Sequence, residues 1–190
     1  MCTGRCSRCI GMLLFPLGLC AVVANLLLYF PNAQILEVEQ ITDFAWFFQG
    51  IIGAGLLAFL PGFMMLGAGG EGCCANRCGM LLSVLLSALG AAGGVYCVII
   101  SALGLIHGPC CDTGNGTYVY PFRKDTQEKN YLFDLNSWNI CRKPENIVLW
   151  NIVLFSILLI IGAIQAVLCF VQVINGLFGF LCGTCMRKRR

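Results

Sequence analysis

The stretch NIVLWNIVLFSILLIIGAIQAVLCFVQVINGLFGFLCGTCM, residues 146–186, contains no Asp, Glu, Lys or Arg over forty-one positions. As one helix it would be about 60 Å long, twice the ~30 Å hydrocarbon thickness of a bilayer. Lipid offers the backbone no hydrogen-bond partner, so such a stretch crosses a membrane as a helix. With Trp150 at one interface, we expect the span to cover 148–172. Residues 173–190 should then form an interface segment and a basic tail.

Three more uncharged stretches precede this one, and each exceeds the ~20 residues that a transmembrane helix needs. They run from 9 to 36, from 44 to 70 and from 78 to 111. The predicted spans within them are 10–30, 45–67 and 80–106. The predicted connecting segments are 1–9, 31–44, 68–79 and 107–147. The fold class expected from this pattern is an all-α membrane protein, a four-transmembrane-helix bundle whose large loop lies between helices 3 and 4.

The composition excludes an ordinary soluble domain. Hydrophobic residues make up 58% of the chain and charged residues only 11%, against about 25% charged in typical soluble domains. The mean hydropathy is +0.83. A water-soluble core cannot absorb this imbalance, so the bilayer is the expected solvent.

Basic residues predict that both termini are cytoplasmic. Arg5 and Arg8 precede the first span, and the chain ends in a basic tetrad that should also contact anionic lipids of the inner leaflet. The members of that tetrad are Arg187, Lys188, Arg189 and Arg190. The 107–147 loop carries the sequon of Asn115, and its three cysteines are Cys110, Cys111 and Cys141. A glycosylation acceptor and oxidisable thiols both place this loop outside the cell.

Helix association should use small residues and buried amides. Gly50 and Ala54, like Gly90 and Gly94, have the four-residue spacing that allows two helix backbones to approach. The side chains of Asn25, Gln49 and Gln165 are predicted to hydrogen-bond between helices. We interpret these features as contacts inside one bundle, with a homo-oligomer face as the alternative.

Fourteen cysteines fall into three groups by their position in the chain. Three lie in the large loop, and Cys20, Cys97 and Cys169 lie in spans, where we expect them to pack as small hydrophobic side chains. Eight lie at the predicted cytoplasmic face and are candidates for S-acylation. They are Cys2, Cys6, Cys9, Cys73, Cys74, Cys78, Cys182 and Cys185. Two CxxC pairs could supply four zinc ligands, but they flank spans instead of polar turns, so no metal site is predicted.

No residue pattern predicts catalysis. The sole histidine, His107, is expected across the membrane from the eight cytoplasmic thiols, so it cannot act as their base. The predicted spans have no Asp, Glu, Lys or Arg in their middle, which argues against an ion or proton pathway. A small channel or a lipid-binding or transport protein remains the alternative function.

Several motifs occur in order along the chain. The N-terminus reads MCTG with Cys6 and Cys9, and 25–32 read NLLLYFPN. Further motifs are WFF at 46–48 with Gly50 and Gly53, SALGLIHGP at 101–109, Trp138 with Cys141, WN at 150–151 with LFS at 154–156, and QVING at 172–176. In these motifs the chain resembles the four-transmembrane L6 family. It departs at Ala33, where members of that family usually have glycine.

The resemblance implies a tetraspanin-like plasma-membrane glycoprotein without an enzymatic activity or a cofactor. Endosomal or lysosomal membranes are further expected locations. It implies lateral association with membrane lipids and with tetraspanins, integrins or growth receptors, without nucleic acid, and an influence on adhesion, migration and proliferation. It also implies a disulfide between Cys111 and Cys141, with Cys110 as the alternative partner. The sequon itself predicts a glycan on Asn115.

Overall fold

The computed structural model describes residues 3–30, 47–68, 77–114, 116–122, 131–132, 135–143 and 145–182. Helix α1 spans Thr3–Leu28, a π-helix at Gln49–Leu56 leads into α2 at Leu57–Ala68, and α3 spans Arg77–His107. Strands β1 at Cys111–Asp112 and β2 at Tyr118–Val119 form an antiparallel pair. A 3-10 helix at Leu135–Ile140 precedes α4 at Ile147–Cys182.

Within the described part of the chain, four helices are long and apolar enough to cross a membrane. They are Arg5–Leu28, Gln49–Gly67, Cys78–His107 and Ile147–Leu181. The all-α, four-helix fold class predicted from the sequence is therefore confirmed. We call the end of the bundle with residues Arg5 and Cys182 the terminal end. The opposite end, next to His107 and Ile147, is the loop end.

Helices α3 and α4 approach each other closely because glycines remove the side chains between them. A Cβ atom built on Gly94 would lie 2.8 Å from the carbonyl oxygen of Gly162. On the other side of the bundle, a Cβ on Gly50 would lie 2.5 Å from the carbonyl oxygen of Ala21 in α1. Both close helix contacts involve small residues within one bundle, which agrees with the interpretation of Gly50 and Gly94 as intramolecular packing positions.

The bundle interior alternates between apolar and polar layers. Phe155 and Leu158 of α4 are fully buried with Ala21 and Ala54 in the cluster nearer the loop end. Ile10, Leu14, Met65 and Cys169 form a second cluster nearer the terminal end. Large apolar side chains such as Val167 and Phe170 are about three-fifths exposed on the outside of the bundle. In a membrane protein this exposed surface faces lipid or other membrane proteins.

Candidate functional site

A polar network joins all four helices at the terminal end. Gln172 of α4 donates from Nε2 to Oγ of Ser7 in α1 at 3.0 Å and to Oγ of Ser83 in α3 at 2.8 Å. Ser7 donates to the carbonyl oxygen of Met65 in α2 at 3.3 Å. Asn175 donates to Oε1 of Gln172 at 3.1 Å. Ser7, Ser83 and Gln172 are fully buried, so this network fixes the relative positions of the helices in a low-dielectric interior.

Sequence reasoning missed this network. No hydrogen-bonding role was predicted for Ser7 or Ser83, and Gln172 was expected only at the end of the fourth span. The available signal was periodicity: Gln165 and Gln172 are seven residues apart and therefore lie on one face of α4. Since Gln165 was already expected to point inward, Gln172 should have been expected to do so as well.

The three amides that the sequence singled out are all buried, but they differ in their hydrogen bonding. Gln165 donates from Nε2 to the carbonyl oxygen of Ala54 at 2.8 Å, which is an interhelical contact. Asn25 and Gln49 are fully buried, and none of their side-chain N and O atoms has a hydrogen-bond partner among the described residues. The contacts expected from these two residues are therefore not formed there. The nearby cluster consists of Ala, Leu, Ile, Phe and Cys side chains, so it offers these two amides little hydrogen-bonding capacity.

The start of α2 has an unusual backbone. Phe48 has φ 48° and ψ 31°, the left-handed region that β-carbon-bearing residues rarely adopt. The π-helix that follows covers eight residues, whereas π-helices are usually single turns and often occur at functional sites. Tyr96 of α3 donates its O–H to the carbonyl oxygen of Phe47 at 2.8 Å and holds this segment against α3.

The loop subdomain, defined as the described part of residues 108–146, is closed by a disulfide. Cys111 and Cys141 are joined, with their Cα atoms 5.5 Å apart. Beside the disulfide, the backbone N–H of Asp112 donates to Lys143, and its carbonyl oxygen accepts from Arg142 at 2.9 Å. The predicted pairing of Cys111 with Cys141 is present, and Cys110 is buried and does not take part in a disulfide.

An aromatic core attaches this subdomain to the bundle. Tyr131 is 5% exposed, stacks on Phe122 with 4.3 Å between ring centroids, and donates its O–H to the carbonyl oxygen of Leu105 near the end of α3. Trp138 donates from Nε1 to the carbonyl oxygen of Tyr131 at 2.9 Å. Burial raises the pKa of Tyr131 to about 12, because the phenolate would lose its hydration. The core also includes Ile147 and Val148, so the subdomain packs directly on α3 and α4.

The predicted glycosylation acceptor, Asn115, lies outside the described residues. Its two neighbours are placed by Asp112, whose Oδ1 accepts the N–H of Gly114 at 2.7 Å and the N–H of Gly116 at 3.1 Å. Both glycines have positive φ, and both are exposed. The described residues on both sides of Asn115 are therefore hydrogen-bonded to Asp112 of strand β1.

A cavity of about 310 Å³ lies at the base of the loop subdomain. Its walls include Trp138, Cys141 and Asn146, together with the first residues of α4. It lies outside the bundle interior.

Trp150, in the first turn of α4, donates from Nε1 to the carbonyl oxygen of Leu27 at 2.9 Å and links α4 to the end of α1.

Three of the eight acylation candidates have described side chains, and all three, Cys6, Cys9 and Cys78, are exposed at the terminal end. The remaining five candidates lie outside the described side chains, as do the four residues of the basic tetrad. Of the cysteines within spans, Cys97 and Cys169 are buried as expected. Cys20 is exposed on α1, so unlike Cys97 and Cys169 it lies on the outside of the bundle.

The described residues contain no group of three His, Cys, Asp or Glu side chains that could hold a metal ion. His107 donates from Nδ1 to the carbonyl oxygen of Leu103 at 2.9 Å, within its own helix. What the arrangement offers is a lipid-facing surface at the sides and a small, covalently closed subdomain at one end.

Comparison with known proteins gives a match along nearly the whole chain. Residues 1–186 match the family model described as L6 membrane protein. Transmembrane 4 L6 family member 1 of Homo sapiens is 46% identical, with 97% of this chain and 96% of that protein covered. Member 4 of Mus musculus is 44% identical over 97% of this chain and 94% of its own length. Member 5 of Bos taurus is 42% identical over 100% and 98%. No solved structure matches the chain significantly.

Proposed function

The chain belongs to the L6 membrane protein family, and on that premise we propose that it is a non-enzymatic organiser of other membrane proteins. In this proposal it associates laterally with tetraspanins, integrins or receptors at the plasma membrane and so influences adhesion, migration and proliferation. Both termini lie in the cytoplasm, and the loop subdomain is extracellular and carries a glycan on Asn115.

The observation that supports the proposal is the separation of buried polar side chains from an apolar outer surface. Polar side chains such as Gln165 and Gln172 point into the bundle, while the lipid-facing sides of α3 and α4 present large apolar residues. Association through such a surface needs no catalytic group, because close packing is the main source of contact energy between membrane helices. The loop subdomain adds a second contact surface. Tyr131 attaches it to α3, its core packs on the start of α4, and the disulfide closes it internally.

Acylation of the cytoplasmic cysteines steers this association. Exposed thiols at Cys6, Cys9 and Cys78 support the accessibility that an acyl transfer requires. Four spans already anchor the chain in the membrane, so acyl chains add little to its anchoring. They change instead which lipids and proteins surround the bundle. The basic tetrad at 187–190 adds an attraction for anionic lipids of about 1 kcal/mol per charge.

Proximity labelling in intact cells tests the proposal. A biotin ligase is fused to the wild type, to a variant with residues 113–122 scrambled, and to a variant with the eight candidate cysteines changed to Ser. We expect the wild type to label a defined set of membrane proteins, and both variants to lose part of that set while their surface delivery stays normal. An unchanged set in the scrambled variant would remove the loop subdomain from the mechanism. An unchanged set in the serine variant would remove acylation.

The alternative, a small channel or lipid carrier, is less well supported by the packing. Phe155, Leu158 and Leu14 are fully buried large side chains between the polar layers of the bundle. A continuous polar path along the axis would need these side chains to move away. Ion or lipid flux through liposomes that contain the purified protein would favour the alternative.

A further inference from the structure

The terminal ends of α3 and α4 extend beyond the charged residues of α1. The hydrogen bonds of Gln172 with Ser7 and Ser83 place these three residues at one level of the bundle. Arg5 and Arg8 lie on either side of Ser7 and are exposed. Because charged side chains avoid hydrocarbon, this level marks the hydrocarbon boundary at the terminal end.

The position of the opposite boundary agrees with this assignment. Trp150, an interface-type residue, lies twenty-two residues before Gln172 in α4. That separation corresponds to about 33 Å of helix, close to the ~30 Å of a bilayer core. The ten residues from Gln172 to Cys182 then continue for about 15 Å. A headgroup layer is only roughly 5–7 Å thick on each side, so this part of the molecule crosses it.

We define the terminal extension as residues 77–82 of α3 and 173–182 of α4. The large exposed side chains that the structure describes in this extension are apolar, although they lie beyond the hydrocarbon boundary. Its exposed large side chains have exposed fractions from 38% to 71%. They are Leu81, Leu82, Ile174, Leu177, Phe178 and Leu181. Contact of such a surface with phosphates and water is unfavourable, so a cover of apolar chemistry is expected.

The neighbouring segments of the chain cannot supply this cover with their own side chains. Residues 69–76 read GGEGCCAN and residues 183–190 read GTCMRKRR, without Leu, Ile, Val or an aromatic residue. What they do contain is thiols. Cys73, Cys74 and Cys185 lie within a few residues of the extension, and Cys78 and Cys182 lie inside it.

Cys78 is placed to direct an attached chain over this surface. Its exposed side chain is followed at i+3, i+4 and i+7 by Leu81, Leu82 and Leu85, which lie on the same face of α3. Leu85 is two residues past Ser83 and thus at the hydrocarbon boundary. An apolar chain attached at Cys78 would therefore run over Leu81 and Leu82 before it reaches the bilayer core. Cys9, by contrast, already lies at the boundary level, beside Arg8.

We propose that the terminal extension is a docking surface for an S-linked acyl chain carried by Cys78, which runs along Leu81 and Leu82 into the hydrocarbon. This inference rests on the acylation in the proposed function and assigns it a position. The acyl donor is a thioester such as an acyl-coenzyme A. Its carbonyl carbon–sulfur bond breaks, a new bond forms from that carbon to Sγ of Cys78, and the thiol proton passes to the departing donor thiolate.

The assignment gives the acyl chain a structural role that anchoring does not require. Attached, it covers Leu81 and Leu82 at headgroup depth. Hydrolysis of the thioester by water restores the thiol, releases the fatty acid and uncovers these side chains. The extension then becomes available to other apolar surfaces in the same layer, so turnover of one thioester regulates lateral contacts at the terminal end.

A fluorescent reporter on the same helix face tests the inference. An environment-sensitive fluorescent amino acid replaces Leu82 in the full-length chain, which is purified from mammalian cells and reconstituted in phosphatidylcholine–phosphatidylserine liposomes. We expect a blue emission maximum that shifts to the red after hydroxylamine cleaves thioesters. In a Cys78→Ser background the maximum should be red from the start and should not respond. Cys9→Ser is the matched control and should leave the response at Leu82 intact.

A second reporter at Leu89 monitors folding and membrane insertion. Leu89 is 52% exposed and lies one turn further into the hydrocarbon than Leu85, so its emission should stay blue in every variant. If the chain carries hydroxylamine-sensitive acyl groups but the reporter at Leu82 does not respond, the inference is overturned and acylation stands. If the chain carries no acyl group, both are overturned. A red reporter at Leu82 in acylated liposomes that is blue in cell membranes would identify a protein as the occupant instead.

Discussion

The three buried amides Asn25, Gln165 and Gln172 can be used to measure how much buried polar side chains contribute to the free energy of unfolding of this bundle. Each is replaced by Leu, which has a similar size and no polar group. Gln172→Leu removes two hydrogen bonds to serine hydroxyls and one from Asn175. Interhelical hydrogen bonds in membrane proteins average roughly 0.6 kcal/mol and reach about 1.7 kcal/mol. We therefore expect Gln172→Leu to lower the free energy of unfolding by about 2–3 kcal/mol.

The other two substitutions should cost less, in a definite order. Gln165→Leu removes one hydrogen bond to Ala54 but also removes an Oε1 atom that has no partner among the described residues. Its net cost should be about 0–1 kcal/mol. Asn25→Leu removes two atoms without such partners, so it should leave the stability unchanged or raise it by about 1 kcal/mol.

Equilibrium unfolding in mixed micelles, with increasing mole fraction of sodium dodecyl sulfate and far-ultraviolet circular dichroism as the signal, measures the three values. Refolding of each variant from the denatured state confirms reversibility. We expect the loss of stability to decrease from Gln172→Leu through Gln165→Leu to Asn25→Leu. A larger loss for Asn25→Leu than for Gln172→Leu would show that the hydrogen-bond assignment of the interior is incorrect.

Four other predictions concern the loop subdomain and the helix contacts. Cys141→Ser opens a disulfide with a sequence separation of 30, worth about 3–4 kcal/mol in the chain-entropy model, and should increase amide exchange over 135–143 while α3 and α4 stay protected. Burial raises the pKa of Tyr131 to about 12. The contribution of the buried phenol to folding stability should therefore be complete below pH 10 and lost between pH 10 and pH 12. In a pH series of thermal melts, Tyr131→Phe should abolish that loss. Asn115→Gln should increase the electrophoretic mobility of protein from mammalian cells, and unchanged mobility would refute a glycan there. Gly94→Val should destabilise the bundle by about 1–3 kcal/mol, because a Cβ at this position meets the Gly162 oxygen at 2.8 Å; a micelle unfolding curve equal to the wild type would contradict the close contact.

The sequence was sufficient for the fold because the bilayer imposes a single strong constraint. Uncharged stretches of more than twenty residues have few alternatives to a spanning helix, so the four helices could be predicted from charge positions alone. The pairing of Cys111 with Cys141, in contrast, came from resemblance to a family. Spacing by itself left Cys110 as an equal candidate.

The interior of the bundle was harder to predict. Whether an inward amide finds a partner depends on the rotation and height of neighbouring helices, which one-dimensional spacing does not contain. Gln49 illustrates this, because it begins a π-helix after a left-handed Phe48, and the sequence gives no signal for that change of helix type. The Gln172 network depends on serines from two other helices, and helical periodicity gave only half of the information.

Lateral association through the lipid-facing helices can be measured by photo-crosslinking in intact cells. A photoreactive amino acid is placed at Val167 or Phe170, which are exposed on α4, and at Leu158, which is fully buried, as the matched control. We expect discrete adducts with other membrane proteins from the exposed positions, and only adducts within the chain from Leu158. Adducts with lipid alone at both exposed positions, in cells where the protein reaches the surface normally, would contradict it.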